Sequence, residues 1–351
     1  MKERTKEVLR DGFGVLVNNA AAIRGAKNGP LWLTIVFFVL SLLLPVLPIF
    51  IAQINVNGST FLDRYSYGLE KTITAMAIDL KDNRNVEFDL GVDHLLTIKE
   101  DGNAIAYGNY GAEKPFATYE NAATKQYDFM LYVSDVMTAN EKKMVNTAIA
   151  AKTYKLGTKD ASSEKEGIYT PSYMIVFKDS FYMAIYGDKT TKIITSSYTG
   201  DYKTMAATTT GLKELLTVTD KDGNVIAQDI LSEDYTNGVL KNFKKVLDKS
   251  YESSKVVNVW GTSGIYLAIF FGLSVVMGFL MWILTRGKNN PNNYFTPWLT
   301  QKIEARLALS PAIITLIAGF FLTNQAPLFF ILTLGLRVMW ISMKELRPVQ
   351  G

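Results

Sequence analysis

Apolar residues are distributed unevenly along this chain. Residues 31–52 (LWLTIVFFVLSLLLPVLPIFIA) carry no charge, and a helix of that length crosses a hydrocarbon layer of roughly 30 Å. They predict a transmembrane helix in which Pro45 and Pro48 are tolerated where neighbouring groups satisfy the freed carbonyls. Residues 1–30 precede it and no A-x-A-like cleavage site follows, so an uncleaved anchor is expected. Ile265 to Leu284 is a second uncharged run, bounded by Arg286 and Lys288, and predicts a span over 261–285. A third run, Leu307 to Leu336, is interrupted by Thr323-Asn-Gln-Ala-Pro327 and predicts a hairpin with arms 307–323 and 327–343. Each arm has only about 16 to 17 apolar residues, which suits two short spans or a re-entrant hairpin.

Between the first two spans, residues 53–258 alternate between helical and strand-like patterns. Thr60 to Leu80 predicts a helix with Leu62, Leu69, Ile73, Met76 and Ala77 on one face. Strands are expected at Val86–Phe88, Leu95–Ile98, Ala104–Tyr107, Phe129–Val133, Tyr173–Phe177 and Phe181–Tyr186. The last two, joined by Lys178-Asp179-Ser180, form the strongest hairpin; being apolar on both faces, they belong in the middle of a sheet. Thr138-Ala-Asn-Glu141 has capping-box spacing and opens a helix to about Lys152. A helix from Asn237 to about Ser253 is expected to feed directly into the second span. The architecture expected is a polytopic α-helical membrane protein of about four membrane segments, with a large α+β extracytoplasmic domain between the first and second spans.

Charge sets the expected orientation. The chain has 37 Lys+Arg and 33 Asp+Glu, and 24 basic against 28 acidic residues fall within 53–258. The N-terminal segment instead holds Lys2, Arg4, Lys6, Arg10, Arg24 and Lys27; the loop 286–306 and the tail 344–351 are basic as well. Basic loops stay cytoplasmic, so both termini are expected inside and 53–258 outside. Trp32, Trp260, Trp282 and Trp340 sit at predicted helix ends, as in an aromatic belt.

Little chemistry is visible. No cysteine means no disulfides and no thiolate nucleophile or metal ligand, and a single histidine, His94, excludes multi-histidine metal sites. Asp220-Lys-Asp-Gly223 fits an EF-hand loop poorly, because Val218 and Asp229 would occupy positions 1 and 12. There is no phosphate loop, nucleophile elbow or zincin motif. Neither an enzymatic activity, a cofactor, nor a nucleic-acid partner is expected. Sixteen of the 18 tyrosines lie within 53–258, where core packing explains them as well as ligand stacking does. Leu95-Leu-Thr-Ile98 before Asp101-Gly102-Asn103 resembles Leu215-Leu-Thr-Val218 before Asp222-Gly223-Asn224; two ordinary turns and a duplicated subdomain both remain open.

The candidate contact residues lie around the spans. Phe13 and Leu16 belong to an amphipathic N-terminal segment suited to the cytoplasmic leaflet or to packing beneath the bundle. Thr296 and Pro297 suit N-cap and N1 of a short helix that begins with Trp298 and carries Lys302 and Arg306 on its polar side, suited to the interface plane. Arg337 is the one ion inside a predicted span, and either snorkels or makes an interior contact.

Three stretches, Val17 to Leu42, Met174 to Met183 and Ala305 to Ile314, carry a resemblance to an uncharacterised membrane-protein family of Gram-positive bacteria, often labelled maltodextrin-utilisation protein. The resemblance implies a link to sugar-transporter systems and no catalytic residues. The function expected is a non-enzymatic accessory or scaffold subunit of a membrane complex. Its partners would be the lipid bilayer and another membrane protein, a sugar ABC transporter being the candidate. A ligand-sensing receptor is the alternative, with the small molecule left open.

Overall fold

A computed structural model of the protein describes residues 14–63, 69–120, 126–155, 168–186, 194–207, 211–287 and 290–346. In chain order the elements are α1 (Asn19–Asn28), α2 (Leu31–Ile54), α3 (Thr60–Asp63), α4 (Leu69–Ile78), β1 (Val86–Leu90), β2 (Leu96–Glu100), β3 (Asn103–Ala104), β4 (Ala117–Glu120) and β5 (Tyr127–Ser134). There follow α5 (Ala139–Ala150), β6 (Tyr154–Lys155), β7 (Ile168–Tyr169), β8 (Ser172–Phe177), β9 (Ser180–Tyr186), β10 (Ile194–Asp201) and α6 (Leu212–Leu216). The chain ends with α7 (Glu233–Leu284), α8 (Pro297–Leu307), α9 (Leu309–Phe321) and α10 (Ala326–Lys344). It divides into two compact units, a sheet unit of Val56–Val256 and a helical unit of Met1–Asn55 with Val257–Gly351. The unbroken helix α7 supplies residues to both.

In the sheet unit, five strands run in the order β10-β9-β8-β5-β4, and all neighbours are antiparallel except the β5–β8 pair. The β8–β9 hairpin pairs Met174 with Met183 and Ile175 with Tyr182, and lies inside the sheet as its two-sided apolarity predicts. Alternation sends Phe129, Leu131, Val133, Val176, Phe181 and Met183 to one face, and Met130, Tyr132, Tyr173, Ile175 and Phe177 to the other. The first face packs against α4, α6 and the N-terminal part of α7 through Ile73, Met76, Leu212, Val239, Phe243 and Leu247. The second is covered in part by α5, whose Thr138 cap accepts from Glu141 N and whose Asn146 Oδ1 accepts from Tyr173 Oη at 2.7 Å. A separate meander, β1-β2-β3, joins this core through Val86, Leu90, Leu96 and Ile98.

Three expectations change. Of the helix expected over Thr60–Leu80, Thr60–Asp63 and Leu69–Ile78 are helical on either side of residues 64–68, which lie outside the described residues, and the change is a π-helical turn at Asp79–Asn83. The strand at Ala104–Tyr107 shortens to β3 and a 3-10 turn follows it, because Tyr107 turns in to donate to Leu96 O at 3.2 Å. The two similar stretches share a turn and the short antiparallel pairing around it, Ile105 N donating to Ile98 O and Ile226 N to Val218 O with Gly102 and Gly223 both at positive φ, but Leu96–Ile98 is strand whereas Leu215 and Leu216 end α6. The Asp220 carboxylate closes its own turn, accepting from the N–H groups of Asp222 and Asn224. The Asn224 N–H bond holds it below the ordinary carboxylate range.

Among the described residues, four helical stretches are long and apolar enough to cross a membrane: Leu31–Ile54, the C-terminal part of Glu233–Leu284, Pro297–Phe321 and Thr323–Lys344. Their shared core includes Phe37, Val46, Phe270, Met281, Ile303, Ala312, Phe330 and Leu334. Gly319 of α9 lies directly against Pro48 of α2, so the prolines occupy a packed seam and α2 continues unbroken through them. Thr296 caps α8 by accepting from Leu299 N, with Pro297 at the first turn as expected. Only Ala308 separates α8 from α9.

Candidate functional site

One cavity is lined wholly by residues of the sheet unit. Between the first face of the sheet and the helices α4, α6 and α7 lies a cavity of about 480 Å³, within the usual range for a small-molecule site, ~300–1,000 Å³. Met76, Leu96, Leu131, Met174, Met205 and Phe243 contribute to its wall, and Gly211, Glu214, Asn242, Lys245, Asp248 and Lys249 supply the polar part of the lining. Asn242 pins α6 to α7, since its Nδ2 donates to the carbonyls of Glu214, Leu215 and Thr217. Tyr202 closes another side; it donates to Ser180 O at 3.1 Å, and burial keeps its hydroxyl protonated far above the ordinary tyrosine range.

Such a space is costly to leave sealed and empty. At about 24 cal/mol per Å³ of void, a closed cavity of this size would cost on the order of 10 kcal/mol. That rivals the whole stability of a domain, about 5–15 kcal/mol. A partly open, apolar cavity instead suits an apolar occupant, because few lining groups could hold ordered water. Sequence patterns do not reveal it, since the wall is drawn from segments between residues 76 and 249. Its one local signal is methionine: Met76, Met174 and Met205, an adaptable residue type common at binding surfaces, all face it.

The helical unit holds the candidate contact residues, and it separates them. Arg306 is 1% exposed, whereas its helical neighbour Trp298 is 62% exposed. The Arg306 side chain enters a slot opened by Gly25 and Gly29 of the α1 segment, donates from Nε to Thr34 Oγ1 at 3.1 Å and lies over the Phe37 ring. The expectation that Arg306 and Lys302 share a free polar side of α8 is therefore corrected. Only Lys302 stays at the surface, over the Trp298 ring. The reason is non-local, because two glycines distant in sequence provide the space.

Glu304, invisible as a site in the sequence, is fully buried; its Oε1 accepts from Ser274 Oγ of α7 at 2.6 Å. Arg337 makes interior contacts: it donates to Leu307 O at 2.8 Å, to Ser310 Oγ, to Val15 O and to Asn19 Oδ1. Leu16 packs against the helical core, which also buries Ala22 and Ala26 of α1, so this segment is packed into the unit. Phe13 lies outside the described residues, as do Lys2, Arg4, Lys6 and Arg10.

His94 occupies a positive-φ position between β1 and β2. No group of three or more His, Asp or Glu among the described residues is placed to hold a metal ion. No family model, curated protein or solved structure matches the chain.

Proposed function

We propose that the protein is a non-enzymatic, multi-pass membrane protein whose sheet unit binds an apolar small molecule, with both termini cytoplasmic and the sheet unit outside. The cavity between the sheet and α7 carries this reading. Its lining of Met, Leu, Val and Phe offers dispersion contacts and few directed hydrogen bonds, which favours an apolar ligand over a sugar or a polar peptide. Helix α7 lines the cavity through Asn242 to Lys249 and continues without a break to Leu284, a route by which occupancy could bias the membrane segment.

The chain has no native cysteine, so one thiol introduced at Leu215, on the cavity wall, reports the cavity alone. In the full-length Leu215→Cys protein in lipid nanodiscs, 1-decanol should slow maleimide labelling saturably. A labelling rate unchanged up to the solubility limit of decanol would remove the ligand-binding reading.

An accessory-subunit role is the second reading, favoured by the exposed Trp298, an aromatic residue of the kind enriched at interfaces, with Lys302 over its ring. The sugar-transporter link implied by the family resemblance belongs to this reading. Its test is Trp298→Ala with Lys302→Gln, which should lose a co-purifying membrane partner in mild detergent. Substituting Arg306 as well would confound docking with interior packing.

A further inference from the structure

The charged residues of the cavity lining are Lys245, Asp248 and Lys249 on α7 and Glu214 on α6. The segment 241–249 carries Lys241, Lys244, Lys245 and Lys249 against the single acid Asp248, although 53–258 as a whole is acidic. Lys245 and Lys249 stand one helical turn apart on α7 and both line the cavity. Both are exposed, and among the described residues neither ammonium has a hydrogen-bond or ion-pair partner. Asp248 is already engaged, its Oδ1 accepting from Ser59 N at 2.7 Å. Glu214, on α6, is the other carboxylate of the lining, and it lies against Gly211.

We infer that the ligand is a single-chain amphiphile with an anionic head group, its acyl chain in the cavity and its head held by Lys245 and Lys249. The inference rests on the cavity being a binding site and adds the chemistry of the occupant. An apolar chain accounts for the wall, and two unspent ammonium groups at its polar margin account for a carboxylate or phosphate head. A polar molecule without a chain would leave the Met and Leu wall unfilled. A neutral chain would leave the lysines without a role.

The labelling assay separates these cases when decanoate is compared with decanol at pH 8, where the carboxylate is ionised. Decanoate should half-protect Leu215→Cys at about one-tenth the concentration of decanol or less, as charge-assisted hydrogen bonds require. Adding Lys245→Gln and Lys249→Gln should bring decanoate to the level of decanol and leave the decanol curve in place. Equal protection by the two probes in the parent protein, or a decanoate preference that survives in the double variant, would overturn the anionic-head inference while the cavity remains a binding site. Protection by neither probe would remove both.

Discussion

A glycine-to-alanine change in a helix interior ordinarily stabilises by about 0.8–1.0 kcal/mol, through helix propensity. At Gly25 the opposite sign is expected. A Cβ built there overlaps the Arg306 guanidinium, which is buried, bonded to Thr34 Oγ1 and seated over the Phe37 ring, and a Cβ at Gly29 would meet the same group. Overpacking a core typically costs about 1–3 kcal/mol. Displacing Arg306 also threatens its bond to Thr34 Oγ1, and a hydrogen bond to a charged group is worth about 1.5–3 kcal/mol. These terms outweigh propensity, so Gly25→Ala should destabilise by on the order of 1–4 kcal/mol. In an Arg306→Ala background the slot is empty and Gly25→Ala should become neutral or stabilising, giving a coupling of at least about 1 kcal/mol. All five tryptophans fall in the helical unit, so tryptophan fluorescence during SDS titration of the full chain in mixed micelles reports that unit selectively. A stabilising Gly25→Ala in the parent protein, or an equal cost in both backgrounds, would refute the slot.

Val246→Phe, which places extra volume into the cavity from α7, should raise stability by about 0.5–2 kcal/mol and abolish decanol protection of Leu215→Cys; lower stability would mean that the space is not available. Arg337→Met should destabilise the helical unit by on the order of 2–4 kcal/mol, because the acceptors at Leu307, Ser310 and Val15, partly or wholly buried, each lose a donor; Arg337→Lys should rescue it only in part, a point charge being unable to serve them together, and full rescue would contradict that geometry. For orientation, an impermeant maleimide applied to intact cells should label Asp222→Cys and spare Gly287→Cys, both exposed positions; the reverse pattern would invert the proposed topology.

Local signals located much of the fold. The uncharged run at Leu31, the capping residues Thr138 and Thr296, and the two-sided apolar hairpin at Tyr173–Tyr186 each dictate structure within a few residues, and each appears where its pattern points. Strand β10 (ITSSYTGD) was not legible: it is an edge strand, so the ladder to β9 can hold a largely polar sequence, with Tyr198 as its anchor. Tyr198 donates to Leu247 O at 2.6 Å, a contact that no periodicity encodes. The cavity was illegible for the same reason, since it exists only when separate helices and strands come together. Arg306 shows the limit most clearly. Helical spacing put it with Lys302 on a polar side, but whether a polar side meets water or another helix depends on what that helix offers. Here α1 and its cap offer two glycines and α2 offers a threonine hydroxyl.

Arg337 raises a related question about order of assembly. Its guanidinium joins α10 to Val15 and Asn19 near the start of the chain and to Leu307 and Ser310 at the α8–α9 junction. Contacts separated by some 320 positions cannot form until the last helix is in place. Until then Val15 O, Leu307 O and Ser310 Oγ lack this donor, and a buried polar group left unsatisfied costs about 1–3 kcal/mol. An isolated cation in a span is likewise costly unless it faces the interior or reaches a head group. The two penalties are relieved by the same event, which favours a closed bundle over any partly assembled one. Arg337 therefore contributes less as a free charge than as a multidentate donor, whose several bonds require the N-terminal segment, the α8–α9 junction and α10 to be correctly placed together.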